Sequence, residues 1–541
     1  MISEPGLHTV QMVLLLLLLF VVVFSALAKW LKTPYPIILV VAGLLLGFVP
    51  GIPRVSLNPN IVFFVILPPL LYAAAWVTSW RDFRHNLTSI LSLAVGLVAF
   101  TVFGVAAAVA WLFAGFDWHV GLVLGAVVAT TDSIAATSIA KRIGLPKRIV
   151  DVLEGESLVN DATGLLALEF ATAMVVSGEN PTVLATFGRL AYLVGIGVVV
   201  GLVLSRIVEW FEHRIDDGPI EIAISLLVPY ASYLAAEALH GSGVLAVVAS
   251  GLYLSRRSSQ FFSPSVRLQA RSVWDSLTFI LNGVVFVLIG LQLPYVLARI
   301  RESSLTQLML YAVLFSALLI ALRLLWSFPA AYAGYFFRRN ILRQQDAYPG
   351  LRQVFVVGWT GMRGVIALAA AISLPQTVAD GSPFPHRDLI VFLTFAVILV
   401  TLVVQGLTLP MLIRALGLAG NAGPDCEEQV ARRLMLEAAL AQIQNRDRSS
   451  DSPGSAELYD DVERHYKDRL ATAVDGTDGT SGQGAKIYDQ FLALSRELLD
   501  TERKTALGLR DEGRISDEVL RQLEQELDLS EIRLNTATSD A

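Results

Sequence analysis

The sequence is poor in cysteine and in charge. Cys426 is the one cysteine among 541 residues, so the chain cannot form an internal disulfide. Charged residues make up 16% of the chain, against about a quarter in an ordinary soluble protein, while apolar residues make up 54%. This composition excludes a disordered protein and argues against one compact soluble domain of this length. Long basic runs are also missing, which argues against nucleic acid as a partner.

The few charges are unevenly distributed along the chain. Residues 1–420 hold 21 acidic and 26 basic residues, whereas residues 421–541 hold 26 acidic and 15 basic residues. The sequence therefore predicts two domains, an apolar body at 1–420 and an acidic tail at 421–541. Helical periodicity in the tail, without a metal, phosphate or nucleotide motif, predicts a small helical module that regulates the body or supports a dimer.

Long apolar runs dominate the body, and a helix that crosses a bilayer needs about 20 apolar residues. About thirteen such runs are present, at 9–28, 35–51, 59–77, 87–114, 118–142, 150–176, 184–207, 219–239, 242–255, 272–298, 306–336, 353–375 and 388–415. If the N-terminus lies outside, the loops facing the cytoplasm hold 18 lysines and arginines, and the other loops hold five. The sequence thus predicts an all-α polytopic protein of the plasma (inner) membrane with a cytoplasmic C-terminus.

Three of the predicted membrane helices carry a charge near their middle. Asp132 in helix 5, Asp161 in helix 6 and Arg363 in helix 12 each lie about ten residues, or roughly 15 Å, from a helix end. Charges at this depth are costly and indicate function by default. Because all three lie at one depth, they can contribute to a single site.

Polar neighbours suggest what that site binds. Ser157, Asn160 and Asp161 are spaced to share one face of helix 6, where they offer hydroxyl, amide and carboxylate oxygens. Such hard ligands suit a small cation. Consecutive polar residues 130–132 in helix 5 cannot all face one way, which predicts a local unwinding. Gly358, Gly361 and Gly364 interrupt helix 12 in the same way, and paired interrupted helices are typical of transporter sites at the midplane.

Other interpretations of these charges remain open. The two aspartates could form a structural ion-pair network with Arg363. Glu156, which is offset from Asp161 around helix 6, is interpreted as the structural partner of Arg363, and Arg323 in helix 11 as a group satisfied by packing. Two buried aspartates also occur in intramembrane aspartyl proteases, but the Gly-x-Gly-Asp setting is missing here. A cation channel would favour a repeated pore loop, and none is evident in the sequence.

Several motifs resemble one transporter family. They are Thr131-Asp132, the run Glu156-Ser157-Leu158-x-Asn160-Asp161-Ala162, and Gly361-x-Arg363-Gly364. Together they resemble the sodium/proton exchanger branch of the cation:proton antiporter superfamily, with the bacterial NhaP-like antiporters as the nearest match. LPPLLYAAAW in helix 3 and VVQGLTLPMLIRALGL in helix 13 resemble it too, so the resemblance covers residues 10–420.

The resemblance implies a fold and an activity. The fold would have inverted repeats, a dimerisation domain and a core in which interrupted helices 5 and 12 cross, and the protein would be a homodimer. It would be a transporter without a cofactor, not an enzyme, exchanging sodium or lithium for protons by alternating access.

The resemblance also implies roles for the site residues. Asp161 would bind sodium and a proton in turn, and Asn160 would mark the electroneutral branch with its 1:1 exchange. Asp132, Thr131 and Ser157 would help to hold the ion, with Asp161, Asp132 and Ser157 as sodium ligands. Glu156 and Arg363 would form a buried pair that steadies the helix crossing.

One departure from the family pattern concerns ion selectivity. Some relatives carry a glutamate in helix 3 that contributes to the cation site, whereas residues 70–75 read Leu-Leu-Tyr-Ala-Ala-Ala here. The choice among sodium, lithium and potassium stays open, and a potassium/proton antiporter of the same fold is the alternative.

Overall fold

The chain divides into two compact units, Met1–Asn421 and Ala422–Ala541. The computed structural model describes residues 4–49, 58–112, 116–178, 183–300, 304–341, 343, 348–420, 424–445, 459–467, 469–470, 483–512, 514 and 516–538. In these residues the regular structure is helical, and the only strand-like pairing is an isolated bridge between Thr377 and Pro383.

The first unit is a bundle of helices joined by short connections. Its helices are α1 Glu4–Trp30, α2 Tyr35–Gly47, α3 Pro59–Val77, α4 Trp80–Leu91, α5 Val98–Leu112, α6 Trp118–Ala129, α7 Ile134–Ile143, α8 Lys147–Ser177, α9 Val183–Glu212, α10 Gly218–Ala238, α11 Gly243–Phe261, α12 Pro264–Leu291, α13 Leu293–Arg299, α14 Leu305–Asn340, α15 Leu351–Trp359, α16 Val365–Ser373 and α17 Arg387–Ala415. The described part of each of the thirteen apolar runs lies mainly on helix, and the predicted ends at 51 and 114 lie outside the described residues. Among the described residues, ten helical segments are long and apolar enough to cross a membrane, so the count of thirteen crossings stays a prediction.

Small residues allow these helices to pack closely. Gly43 of α2 lies against the backbone of α12 at Val287, and Gly201 of α9 lies against the backbone of α11 at Ala246. A Cβ atom at either glycine would overlap with that backbone. Close backbone approach of this kind is the usual basis of helix association in membranes, where the hydrophobic effect between helices is absent.

Three helices contain a turn of π-helix, at Val62–Ile66, Ser92–Leu97 and Thr401–Gln405. The second of these joins α4 to α5, and its carbonyl groups gain partners from other helices. Trp326 donates its indole N–H to the Ser92 carbonyl at 3.0 Å, and Thr163 donates its hydroxyl to the Ala94 carbonyl at 2.5 Å. These bonds satisfy groups that a membrane interior would otherwise leave unpaired.

The interruptions predicted in helices 5 and 12 are confirmed. α6 ends at Ala129 and α7 begins at Ile134, and the backbone of Thr130 is extended. α15 ends at Trp359 and α16 begins at Val365, with an extended Gly364 before it. We call residues 130–133 the first break and residues 360–364 the second break.

The second unit consists of helices throughout its described part. They are α18 Pro424–Gln444, a helical stretch at 459–467, α19 Gln483–Asp511 and α20 Asp517–Thr538. Ser516 caps the last of these by accepting the Val519 N–H at 3.3 Å. Arg503 joins α19 to α20 through bonds of 2.5 Å to Asp528 and 2.9 Å to Glu531.

Candidate functional site

The two breaks lie against each other. In a continuous helix the Asp132 N–H would bond to the Val128 carbonyl, four residues earlier. Instead Asp132 donates to the carbonyl of Met362 in the second break at 2.8 Å. The Val128 carbonyl, freed by this exchange, accepts the Nε–H of Arg363 at 3.1 Å. Two bonds to the second break, one from the first break and one from the last turn of α6, therefore replace one bond of the helix.

Arg363 is buried and bonds to backbone. Its guanidinium also donates to the Gly361 carbonyl, and its own N–H donates to the Thr401 hydroxyl at 3.2 Å. The carbonyl of Val128 lies in the last turn of α6, where the helix dipole places partial negative charge. The arginine thus compensates helix ends, and the structural network of both aspartates with Arg363 is not present in the described part of the chain.

One face of α8 packs against the first break. Ser157 donates its hydroxyl to the Thr131 carbonyl at 3.2 Å, and the Asn160 amide lies 2.8 Å from the Thr131 hydroxyl. With its oxygen towards the Thr131 N–H (3.1 Å) and its nitrogen towards the Ala129 carbonyl (3.3 Å), the amide satisfies a donor and an acceptor at the end of α6 that the break leaves without helical partners. One turn later Gly164 contacts the methyl group of Thr130. The face predicted from the spacing of these residues is therefore the face that meets the break.

The two aspartates line a common cavity of about 750 Å³. One oxygen of Asp132 accepts the N–H of Ile134 at 2.8 Å and so starts α7. Asp161 is 4% exposed, and its carboxylate has no hydrogen-bond donor among the described residues. A buried carboxylate without a donor is costly unless a cation or proton neutralises it.

Gly364 allows the backbone of the second break to lie close to Asp132. A Cβ atom on Gly364 would lie 2.5 Å from Asp132 Oδ2 and 2.6 Å from Asp132 Cβ. Only glycine lets the extended backbone approach this carboxylate.

The prediction that Glu156 pairs with Arg363 is wrong. Glu156 forms a bidentate ion pair with Arg323 of α14, with Nη1–Oε1 at 2.5 Å and Nη2–Oε2 at 2.8 Å, and both side chains are 1% exposed. Glu156 Oε1 also lies 3.0 Å from the Thr131 hydroxyl, and Arg323 also donates to the Val357 carbonyl at 3.3 Å. The planar guanidinium of Arg323 can meet both carboxylate oxygens, whereas that of Arg363 is occupied by carbonyl groups.

The roles of two residues in this arrangement are not predicted by the sequence. Arg323, which the sequence predicts to be a group satisfied by packing, is the ion-pair partner of Glu156. Thr401, which fixes the backbone of Arg363, lies in a π turn that the sequence did not indicate. The signal for Arg323 was its own charge inside an apolar run, the same signal that identified Arg363.

Comparison with known proteins identifies the family of this chain. The profile of the family described as "Sodium/hydrogen exchanger, transmembrane" matches residues 15–415. The chain belongs to the sodium/hydrogen exchanger family. It is 35% identical to an uncharacterized Na(+)/H(+) exchanger of Mycobacterium tuberculosis over 98% of both chains. It is 34% identical to a sodium, potassium, lithium and rubidium/H(+) antiporter of Bacillus pumilus, over 75% of this chain and 62% of that protein.

A solved structure shares the fold of this exchanger. The sodium proton antiporter MjNhaP1 from Methanocaldococcus jannaschii matches with a TM-score of 0.58 and 21% identity, over 75% of this chain and 99% of the other. The exchanger family and its structural neighbours are transporters, so the chain is a membrane-embedded cation/proton exchanger and not an enzyme. The rival protease and channel interpretations are thereby set aside.

Proposed function

We propose that this exchanger moves one sodium or lithium ion against one proton, and that the two ions compete for Asp161. The observation that carries the proposal is the isolation of that carboxylate: it is buried, has no donor among the described residues and faces the cavity. Either ion neutralises it, and each excludes the other. This competition couples the two fluxes without further machinery.

Oxygen atoms around Asp161 support a sodium site. Asp132 and Ser157 line the same cavity and are proposed as ligands together with Asp161. Thr131 offers a hydroxyl and a carbonyl beside them, and its hydroxyl lies 2.8 Å from Asn160. Carboxylate, hydroxyl and carbonyl oxygens are the ligands that hard cations prefer.

The neutral amide of Asn160 supports electroneutral exchange. A carboxylate here would add a second charge and could not donate to the Ala129 carbonyl as the amide nitrogen does at 3.3 Å. One carboxylate that loads either one sodium ion or one proton gives equal charge in both loaded forms. The empty form is charged, and its passage through a low-dielectric region is costly, so only loaded forms cross.

The position of the cavity supports alternating access. It extends to the bundle end that carries Lys141 of α7 and Arg271 of α12, which is the cytoplasmic end in the proposed topology. The crossing of the two breaks would rock against the neighbouring helices and open the site to the other side. In this scheme Glu156 with Arg323, and Arg363 with the helix ends, hold the crossing together.

Potassium is the second candidate cation. The wall that α3 contributes near the site is apolar, with Leu70, Leu71, Ala73 and Ala74 facing the cavity. No acid there completes the shell of a small ion, and the Bacillus pumilus relative is named for potassium and rubidium as well as sodium and lithium.

The surroundings of the exchanger are proposed as follows. It is a homodimer in the plasma (inner) membrane, with the N-terminus outside and no cofactor. Residues 1–420 carry transport, and the acidic tail at 421–541 lies in the cytoplasm and regulates the body or supports the dimer.

Cation-driven pH change in proteoliposomes tests the proposed function. Wild-type protein and Asp161→Asn are compared with sodium, lithium and potassium, first with the voltage clamped by an ionophore and then released. Sodium-dependent exchange that ignores voltage and is lost in the variant supports the proposal. If potassium alone drives exchange, the second candidate holds; if current flows without proton exchange, exchange is refuted.

A further inference from the structure

The mouth of the cavity carries a charged pair that the exchange mechanism does not use. Lys141, in the last turn of α7, lies with its Nζ 2.7 Å from Glu154 Oε1 of α8, and both side chains line the cavity. The lysine side chain is 55% exposed and the glutamate 19%. The turn at Gly144, which adopts the left-handed conformation, brings the two helices together.

Glu154 belongs to the same helix face as the ion site. Glu154, Ser157 and Asp161 lie at positions i, i+3 and i+7 of α8, and all three line the cavity. With a rise of 1.5 Å per residue, Glu154 lies about 10 Å from Asp161 along the helix. A cation that enters from this end therefore passes Glu154 before it reaches Asp161.

Lys141 places a positive charge on that route. An ammonium group bound to Glu154 cancels the attraction that the carboxylate would exert on an entering cation. The other charged side chains of the lining near this end are Arg267, Arg271 and Asp275 of α12, and Asp275 lies 4.0 Å from Arg271. Clefts lined with charge change the local concentration of ions. A fixed charge of opposite sign, here the ammonium group of Lys141, determines the size of that change.

We propose that the Lys141–Glu154 pair sets the apparent affinity for the entering monovalent cation. The Glu154 carboxylate attracts the cation, and the Lys141 ammonium group competes with the cation for that carboxylate. The inference rests on the proposed function, because it requires a cation that travels to Asp161. The pair acts through charge on the entry route and does not touch the bound ion. Both residues are therefore determinants of entry and not ion ligands.

Opposite effects of two single substitutions separate this role from a structural one. Lys141→Gln leaves the carboxylate uncompensated and lowers the KM for sodium, whereas Glu154→Gln leaves the ammonium group alone and raises it. A unit charge about 10 Å from the ion, at a dielectric constant close to that of water, changes the KM by about two- to fivefold in each direction. If the pair only tied α7 to α8, both substitutions would impair exchange in the same direction.

Everted membrane vesicles from cells without other sodium/proton exchangers give the measurement, because their cytoplasmic face is outward. The KM for added sodium is measured at low ionic strength and again with choline chloride, which screens charge and shrinks both shifts. Lys141→Arg keeps the charge and stays near the wild-type KM, and the double variant Lys141→Gln/Glu154→Gln returns to within about twofold of it. The maximal rate stays unchanged in all four variants.

Lys147→Gln is the matched control. Lys147 forms an ion pair of the same length, 2.7 Å, with Asp82 at the same end of α8, and neither residue lines the cavity. KM shifts in opposite directions that exceed the effect of Lys147→Gln support the proposal. Shifts in the same direction, or shifts no larger than that of the control, overturn it.

Failure of the proposed function remains distinguishable. If wild-type protein exchanges potassium and not sodium, the same KM comparison is made with potassium, because a charge effect does not depend on which monovalent cation enters. Asp161→Asn loses exchange whether or not the pair at the mouth matters.

Discussion

Two buried carboxylates on α8, five residues apart, differ in the hydrogen-bond partners that the fold provides for them. Glu156 is 1% exposed, receives two bonds from Arg323 and lies 3.0 Å from the Thr131 hydroxyl. Asp161 is almost as deeply buried but receives no bond in the described part of the chain and faces the cavity. Burial alone therefore does not distinguish Glu156 from Asp161, which we propose as the exchanging acid; the supply of hydrogen-bond donors does.

The difference implies that the two carboxylates of α8 serve different purposes. A bidentate pair with matched geometry holds its charge permanently and fixes α8 against α14. A carboxylate without donors stays available to a mobile cation or proton. Four tests, from the largest expected effect to the smallest, break or sharpen this comparison.

Removing the charge of Asp161 is expected to have the largest effect on transport. Asp161→Asn keeps the shape of the side chain but cannot release a proton or neutralise a cation, so exchange falls by at least about a hundredfold, the loss typical of an essential reacting group. Because no hydrogen bond to a described residue is lost, the melting temperature of the purified protein stays within a few degrees of the wild type. Near-normal exchange in a folded variant would remove Asp161 from the mechanism.

Removing one partner of the other pair is expected to affect folding. Arg323→Met leaves Glu156 as an unpaired buried charge, which costs about 3–5 kcal/mol of stability. Thermal unfolding in detergent measures this as a large fall in the melting temperature. The double variant Glu156→Leu/Arg323→Met carries no buried charge and recovers most of the loss. A double variant as unstable as the single one would show that the pair is more than compensated charge.

A methyl group at the crossing is expected to have an intermediate effect. Gly364→Ala places a Cβ atom 2.5 Å from Asp132 Oδ2, so the second break must move away from the first. Such small displacements commonly cost on the order of a hundredfold in activity, and we expect at least a tenfold fall in the exchange rate. Gly195→Ala in α9 is the control, since no atom outside its own helix lies within 4 Å of the added group. Equal effects of the two substitutions would contradict the role of the crossing.

Loss of one proposed ligand is expected to have the smallest effect. Ser157→Ala removes a hydroxyl that lines the cavity and donates to the Thr131 carbonyl, but leaves both aspartates in place. A neutral hydrogen bond contributes about 1 kcal/mol, so the KM for sodium rises about fivefold with the maximal rate retained. Ser205→Ala serves as a control because the hydroxyl of this buried serine bonds, within the part of the chain that the structure describes, only to the Gly201 carbonyl of its own helix α9, at 2.7 Å. An unchanged KM in Ser157→Ala would exclude the hydroxyl from the ion shell.

Local features of the site were predictable from the sequence. Three consecutive polar residues at 130–132 and glycines at 358, 361 and 364 indicated both breaks, because a continuous helix accommodates neither pattern well. Helical spacing placed Ser157, Asn160 and Asp161 on one face, and the structure brings that face to the first break.

Long-range partners were not predictable in the same way. Glu156 and Arg323 are separated by 167 positions, and spacing along the chain gives no information on which arginine meets which acid. Both arginines lie in apolar runs at similar depth, so charge complementarity alone allowed either pairing. Orientation decided the outcome, since the guanidinium of Arg363 meets the carbonyl ends of the breaks before it can reach a carboxylate.

The exchange of bonds between the breaks constrains how such a protein can evolve. The Val128 carbonyl is bound to Arg363 and the Asp132 N–H is bound to Met362, so neither break can be repaired alone. A mutation that joined α6 and α7 into one continuous helix would leave the guanidinium of Arg363 and the carbonyl of Met362 in the protein interior without these hydrogen-bond partners. A chain with only one of the two breaks would therefore carry buried polar groups that have lost these partners, which is costly.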